Sequence, residues 1–528
     1  MTRRVAILAP HDKTGLDDFA RGLAKLGFEI YSTSGTQKYL AEKTGLDVKS
    51  ISSLTGFPEI LDGRVKTLHP KVHGGILARR DRPEHLAELE RQDIAPIELV
   101  CGNLYPFRET ISRPGVTTDL ALENIDIGGP TMLRAAAKNY PWVLALVDPA
   151  DYGAALDHLR ADVVPMEYRR ELAAKAFQHV AAYDTMIAAY LRTNPAEFPV
   201  ELTIGLEKVA ETRYGENPHQ RGAVYRDPTP GVLKGIADTE RLHGMDMSYL
   251  NYLDADAAWR AALDFDEPAV VIVKHATPCG IASHADVAVA YERAYESDTI
   301  SPFGGIIAVN RPVTWDMTEA MKGKRYDIII APGYEHAALE RLQKRKDLRI
   351  LLMPPPESRD RASALSSGRG GGGAHTLEYR SILGGMLVQQ PDAMRGEDLE
   401  LQVVSKRAPS EAEIAELRFA WTCVKHVKSN GVVIARDRAT IGIGAGQPNR
   451  LWPTRQAIER AGERIAGAVL ASDAFFPFAR GDAVEDACKA GIAAIIQPGG
   501  GNRDDEAIEV CDQYGVAMVF TGARAFRH

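Results

Sequence analysis

Cysteine is scarce in this chain and has no pattern. Five cysteines stand at 101, 279, 423, 488 and 511, with no Cys-x-x-Cys pair among them. That excludes a disulfide framework and a thiolate metal knuckle, and points to a reducing cytoplasm. Long apolar runs are missing too. None reaches the ~18–20 residues of a membrane span, and the start, with its strand-like Val5-Ala6-Ile7-Leu8, has no signal-peptide pattern. Positive charge is in deficit: Lys+Arg 63 against Asp+Glu 71 gives a net −8. A sequence-independent nucleic-acid binder would be basic, so neither nucleic acid nor membrane is an expected partner. What is present, 45% hydrophobic and 25% charged residues over 528 positions, is the composition of a soluble globular protein of two to four domains.

Against that acidic balance, Asp62–Gly75 stands out. Arg64, Lys66, His69, Lys71 and His73 crowd into ten residues beside Gly63, Pro70, Gly74 and Gly75. Pro70 argues against a regular helix through the segment, and the glycines allow tight turns. In an extended chain Arg64 and Lys66 point the same way, and like charges so placed repel unless an anion lies between them. A phosphate or carboxylate pocket is the expectation.

The first ~150 residues alternate strands and helices like an open α/β sheet. Strands are expected at Val5–Leu8, Phe28–Ser32, Ile97–Gly102 and Val143–Val147, and helices at Gly15–Leu26, from Ser34 through Glu42, from Met132 to about Lys138 and at Glu171–Leu191. Ser34-Gly35-Thr36 opens its helix at the carboxyl end of the sheet, a place suited to an anion. Thr193–Pro199, with two prolines, reads as a domain connection. Beyond it, buried strands are expected at Val270–Val273, Ile306–Val309, Ile328–Ile330, Gly431–Ile434 and Ala493–Ile496. Lys274-His275 and Lys425-His426 hint at two related halves. Pro354–His375, with five glycines from Gly368 to Gly373, lacks the Gly-Lys-Ser/Thr of a phosphate loop and reads as a flexible linker.

Asp62–Gly75, Asn103-Leu-Tyr105-Pro-Phe107, Ile125–Pro130 and Arg134-Ala-Ala-Ala-Lys138-Asn139 closely resemble the cyclohydrolase domain of a bifunctional purine-biosynthesis family. That family combines phosphoribosylaminoimidazolecarboxamide (AICAR) formyltransferase with inosine monophosphate (IMP) cyclohydrolase. The resemblance implies an α/β methylglyoxal-synthase-like domain over 1–198 that closes the formylated nucleotide (FAICAR) to IMP with loss of water. It assigns Lys66, Tyr105, Asp126 and Lys138 to acid–base work and charge stabilisation, without settling which is acid and which base. Lys13, Ser34, Gly35 and Thr36 are implied for the phosphate, and Arg64, Thr67, Asn103 and Gly128 for the rest of the substrate. Relatives usually read Ser-Val-Ser-Asp-Lys-Thr-Gly where this chain has Ala9-Pro-His11-Asp-Lys13-Thr-Gly15, so His11 is expected to replace one missing hydroxyl.

The second region carries Arg213-Tyr214-Gly-Glu-Asn217-Pro-His219 on a broken loop, and Lys274-His275 after a strongly apolar strand. A lysine there would favour a neutral, basic imidazole. These segments, with Ser301–Gly305, Asp327–Gly333, Lys425–Asn430, Ile441–Gln447, Ser472–Phe478 and Phe520–Arg524, resemble the same family's transformylase. The resemblance implies two cytidine-deaminase-like subdomains over 199–528 and formyl transfer from the co-substrate 10-formyltetrahydrofolate to the 5-amino group of AICAR. His275 would deprotonate the amine, and Lys274 would steady the oxyanion or protonate the leaving folate nitrogen. Arg213 and Arg524 would hold the phosphate. Tyr214, His219, Gly304, Asp327 and Asn430 would bind polar parts, and Phe303, Phe475 or Phe476 would pack on rings. No metal is implied. A zinc deaminase would show Pro-Cys-x-x-Cys, whereas Pro278-Cys279 is followed by Gly280-Ile281-Ala282. The family also implies a homodimer with the transformylase site at the subunit interface. Gln447–Pro453 and Ala525, where a histidine is common, depart from it. The alternatives are a nucleotide-binding regulatory protein, or a cyclohydrolase with an inactive second half. Ala9 and Ala525 favour these; Lys66, Lys274 and His275 argue against them.

Overall fold

The computed structural model describes residues 3–104, 106–192, 198–230, 234–353 and 377–528. Tyr105 and the glycine-rich stretch 354–375 lie outside them, as does most of the proline-flanked connection at 193–199. The described chain divides into two compact units, the first running to Leu206 and taking in the short stretch 227–230, the second formed by the rest from Glu207.

The first unit is built on a parallel sheet in the order β3-β2-β1-β4-β5. Its strands are β1 (Arg4–Leu8), β2 (Phe28–Ser32), β3 (Lys49–Ser50), β4 (Ile97–Cys101) and β5 (Leu144–Leu146). Apolar residues sit on both sides of each long strand, as a sheet covered by helices on both faces requires. Val5 and Ile7 enter one core with Val100, Met132 and Val180. Ala6 and Leu8 enter the other with Phe19, Leu40 and Leu156. The strand order reverses between β1 and β4, so the loops after these strands flank the crevice where open α/β sheets bind ligands. The expected helix from Met132 begins earlier, spanning Gly128–Lys138, and the alanine-rich helix spans Met166–Leu191.

One expectation is reversed. Pro70 does not keep helix out of the basic segment; it starts one, Pro70–Leu77. Proline suits the first helical turn because its missing N–H has no partner there to lose. His69 caps that helix, its Nδ1 accepting from the Lys71 amide at 3.1 Å.

The second unit contains one 12-stranded sheet. A hairpin of β6 (Glu207–Thr212) and β7 (Gly222–Arg226) precedes it. Its first half is β8 (Glu240–His243), β9 (Ala269–Lys274), β10 (Thr277–Ser283), β11 (Gly305–Val309), β12 (Tyr326–Ala331) and β13 (Arg349–Leu352). After a hairpin of β14 (Glu378–Ile382) and β15 (Gly385–Gln389) comes the second half. It comprises β16 (Gln402–Val403), β17 (Val432–Arg436), β18 (Ala439–Gly444), β19 (Val469–Ser472), β20 (Ala494–Gln497) and β21 (Ala517–Phe520). From the middle outward the halves read β10-β9-β11-β12-β13-β8 and β18-β17-β19-β20-β21-β16, with the same sequence of antiparallel and parallel pairings. They are two copies of one topology, joined where Ala282 of β10 pairs with Ala439 of β18. The two Lys-His pairs are not the matching positions. Lys274-His275 lies at the β9–β10 hairpin, whose counterpart is Asp437-Arg438 between β17 and β18. Lys425-His426 ends the helix Glu411–Val424, whose counterpart Tyr249–Leu263 ends at Asp264.

Candidate active sites

In the first unit the five-cation cluster is largely dispersed by partners distant in sequence. Arg64 pairs with Glu123, and Lys71 lies 3.6 Å from Asp93. His69 is spent as a cap, and burial pushes the His73 imidazole below its ordinary value. Among the described residues Lys66 makes no ion pair, and its charge acts on Asp126 instead. Burial raises the Asp126 carboxyl above the usual carboxylate range, opposed by the Gly129 amide, then Lys66, then the Gly128 amide. Asp126 Oδ1 accepts from the Gly129 amide at 2.9 Å, and the Asp126 amide donates to the Tyr183 hydroxyl at 2.8 Å. Thr67 is buried against Gly128, where an added Cβ would come within 2.5 Å of the threonine Oγ1. Lys66, Thr67, Asp126 and Gly128 thus form one cluster.

A second group surrounds the switch point. Asn103 ties the loops after β1 and β4, its Oδ1 accepting from the Asp12 amide at 2.8 Å. Thr36 is buried and donates to the Pro10 carbonyl at 3.3 Å, Gly35 faces open space, and Ser34 donates to Glu59 Oε1 at 2.6 Å. Lys13 Nζ lies 3.4 Å from the His11 carbonyl. Lys138 stands apart. It closes the helix whose first turn holds Gly128, ~15 Å along the axis, and lines a cavity of about 600 Å³ with His73, Arg134, Tyr140, Arg170 and Phe177.

In the second unit His275 and Ala276 form a two-residue turn with φ of 54° each. Two successive left-handed residues are what a tight hairpin of matching twist demands. Asp254 holds this turn, its Oδ2 accepting from the His275 amide at 3.1 Å and its Oδ1 from the Ala276 amide at 2.7 Å. Lys274 Nζ donates to the Phe303 carbonyl at 2.8 Å. Asp327 Oδ1 lies 3.8 Å from where a Cβ on Gly304 would stand. Lys274, His275, Phe303, Gly304 and Asp327 therefore share one end of the sheet, where β9 finishes and β11 and β12 begin. Arg213 belongs nearby, since its charge and that of Asp327 both act on Arg349. Tyr214 adjoins Arg213, and His219 is exposed on the same β6–β7 connection.

Asn430 belongs to a different cluster. Its Oδ1 accepts from Arg450 at 2.6 Å and its Nδ2 donates to the Gln447 carbonyl at 2.9 Å. Arg450 in turn pairs with Asp473, both buried. The β9–β10–β18–β17 order puts this cluster three strand spacings, ~14 Å, from Lys274. Phe475 is exposed, but Phe476 is 1% exposed and lies in the core with Val432, Leu470 and Met518. Arg524 is exposed over the Phe526 ring, while Ala525 is buried, its amide donating to the Asp473 carbonyl at 2.9 Å.

Two family models match this chain, the AICARFT/IMPCHase bienzyme over residues 136–460 and the MGS-like domain over residues 15–131. The chain belongs to the AICARFT/IMPCHase bienzyme family. It is 49% identical to the bifunctional purine biosynthesis protein PurH of Bacillus thuringiensis subsp. konkukian over 528 residues, all of both chains. PurH of Bacillus cereus strain 03BB102 is 48% identical, again over the whole of both. A solved structure, described as the crystal structure of ForH, is 40% identical, covering 35% of this chain and 95% of that one, with a TM-score of 0.32. This bienzyme is a formyltransferase and cyclohydrolase of purine biosynthesis.

Several residues around these clusters escaped the sequence reading. His179 and Tyr183 come from the helix Met166–Leu191; the Leu104 amide approaches His179 Nε2 at 3.4 Å, and the Tyr183 hydroxyl accepts from the Asp126 amide. Their spacing of four on one helix face was the available signal. Asp254, Glu59 and Asp473 carried no local signal, because each acts on a segment distant in sequence. Among the described residues no group of three His, Cys, Asp or Glu side chains could hold a metal ion, and no described helix is long and apolar enough to cross a membrane.

Proposed function

We propose that the two chemistries are divided between 1–198, which closes FAICAR to IMP, and 199–528, which transfers formyl from 10-formyltetrahydrofolate to AICAR. In ring closure the carboxamide nitrogen bonds to the formyl carbon, and the formyl oxygen leaves as water after gaining two protons. Lys66 stabilises the developing oxyanion, and Asp126 and Tyr105 share the proton transfers; Lys138, at the far end of its helix with Arg134 and Arg170, stands too far from Asp126 to join them. The observation that carries this reading is the buried Asp126 carboxyl, held by the Gly129 amide at 2.9 Å and raised by burial within the field of Lys66, an arrangement suited to proton transfer. Lys13, Ser34, Gly35 and Thr36 take the phosphate at the switch point, with Arg64, Thr67, Asn103 and Gly128 around the base and ribose.

In formyl transfer the 5-amino nitrogen attacks the formyl carbon while His275 accepts its proton, and the carbon–nitrogen bond to folate breaks. Lys274 serves the oxyanion or the departing nitrogen. Arg213, Tyr214, His219, Phe303, Gly304, Asp327, Asn430, Phe475 and Arg524 bind the nucleotide and folate, and no metal is used. The ~14 Å between Lys274 and Asn430 favours a homodimer in which a second copy completes the site. The enzyme works in the cytoplasm.

The test is to incubate the protein with AICAR and 10-formyltetrahydrofolate and follow FAICAR and IMP. Both should appear in turn, and no product at all would sink the enzyme reading. His275→Ala should abolish formyl transfer yet still close supplied FAICAR; loss of both would refute two separate sites.

A further inference from the structure

The helix Ser34–Thr44 begins without help. Thr33, at its cap, makes no side-chain hydrogen bond to the helix, and its first turn carries no acidic residue. Such an end, with amides unspent, favours a negative charge. The charge it meets comes from 25 residues away: Glu59 accepts the Ser34 hydroxyl at 2.6 Å. The other oxygen of that carboxylate faces the catalytic side. Lys66 Nζ and Glu59 Oε2 both crowd over Gly63, 3.2 and 3.7 Å from where a Cβ would stand. One carboxylate therefore reaches from the phosphate-end hydroxyl towards the proposed oxyanion lysine.

The segment that carries Glu59 is a closed turn. Ile60 and Val65 bond to each other in both directions, at 3.3 and 3.4 Å, and Leu61, Asp62 and Gly63 are successively left-handed, with φ of 53°, 53° and 85°. Leucine adopts that conformation reluctantly, so the turn holds its shape only through its own closure. Gly56, with φ of 72°, precedes it, and the side chains of Phe57 and Leu61 are more than half free, or nearly so, of the protein. Apart from the Arg64–Glu123 pair, its outer face is open.

We propose that Glu59 is an internal stand-in for the nucleotide's phosphate, holding Ser34 in the unliganded enzyme and competing with substrate and product for it. The proposal rests on the reading of Ser34 as a phosphate ligand. A carboxylate and a phosphate dianion cannot share one hydroxyl and one helix end without strong repulsion, so nucleotide entry expels Glu59. Its return then helps expel IMP, making it a device for product release.

The experiment titrates IMP, and separately its dephosphorylated nucleoside inosine, into the wild-type enzyme and into Glu59→Gln and Glu59→Ala, each checked by thermal melting. Supplied FAICAR is used in parallel to measure closure. Removing the charge should tighten IMP binding about two- to fivefold, the range of a partly exposed charge interaction. Inosine affinity should stay unchanged, and product inhibition should deepen by the same factor. Unchanged or weaker IMP binding in both variants, or an equal gain for inosine, would overturn the stand-in and make Glu59 a structural partner of Ser34. Wild-type enzyme that neither binds IMP nor closes FAICAR would instead remove the nucleotide-site reading, and this proposal with it. Wild type that closes FAICAR while the variants gain nothing would sink the stand-in alone.

Discussion

Asp264, at the end of the helix Tyr249–Leu263, is a buried carboxylate with two basic partners. Lys425 Nζ approaches it at 3.0 Å and His426 Nε2 at 2.8 Å, with all three side chains nearly sealed from water. Burial alone would raise this carboxyl, but the His426 and Lys425 contacts bring it down to about 2. Burial holds the His426 imidazole below its ordinary value, opposed by Asp264 and aided by the charges of Arg527 and Lys425. The geometry favours a neutral ring, because Arg527 lies 3.1 Å from Nδ1. Nδ1 then accepts, Nε2–H donates to Asp264, and Lys425 supplies the counter-charge. A histidine neutral when folded takes its proton on unfolding, so the unfolded state binds more protons as pH drops. Stability is therefore complete above the unfolded value of ~6.5 and declines below it, by up to ~1.4 kcal/mol per pH unit. Urea unfolding followed by the buried Trp259 and Trp421 should show this slope between pH 7.5 and 5.5. His426→Gln should lose that part of the slope; an unchanged slope would mean that the ring is charged when folded.

At the scale of elements, the β9–β10 hairpin shows how the proposed catalytic position is held from another segment of the chain. Both residues of the turn are left-handed, and the buried Asp254 accepts from both of their amides. Asp254→Ala leaves the buried Ala276 amide and the half-buried His275 amide unmet, a loss of ~1–3 kcal/mol that should lower the melting temperature. Assayed well below that temperature, formyl transfer should fall far more than ring closure; an equal fall in both would mean general unfolding rather than a displaced His275. The strand Val270–Val273 was legible because its apolar run has no other use. Its hairpin was not, since His-Ala lacks the Asn-Gly or Asp-Gly that usually announces such a turn. The basic cluster misled for a related reason. Glu123 and Asp93 neutralise Arg64 and Lys71 from far along the chain, and charge crowding in one dimension cannot show that. Pro70 misled because a residue that breaks helices inside also begins them. Lys66, Lys274 and His275, by contrast, were singled out by their motifs; the fold sets Lys66 near Asp126, Lys274 against the Phe303 carbonyl and His275 on a turn.

At the scale of the molecule, the duplicated halves of the second unit are more than neighbours. Ala255, Trp259, Val271 and Ile330 of the first half share one core with Leu417, Trp421, Val433 and Val519 of the second. The helices Tyr249–Leu263 and Glu411–Val424 lie in that common layer, while each half keeps a further core of its own on the opposite face. A protease site engineered between 354 and 375 should cut the chain without parting it. The two pieces should co-elute on gel filtration and keep formyl transfer, whereas separate elution would mean the linkage is only covalent. Expressed alone, either half would uncover β10 or β18 along its length and become prone to aggregate. The seam at Ala282 and Ala439 thus has a genetic meaning as well as a mechanical one. A substitution that unfolds one half would bare the shared core of the other, so the two halves stand or fall as one inheritable unit.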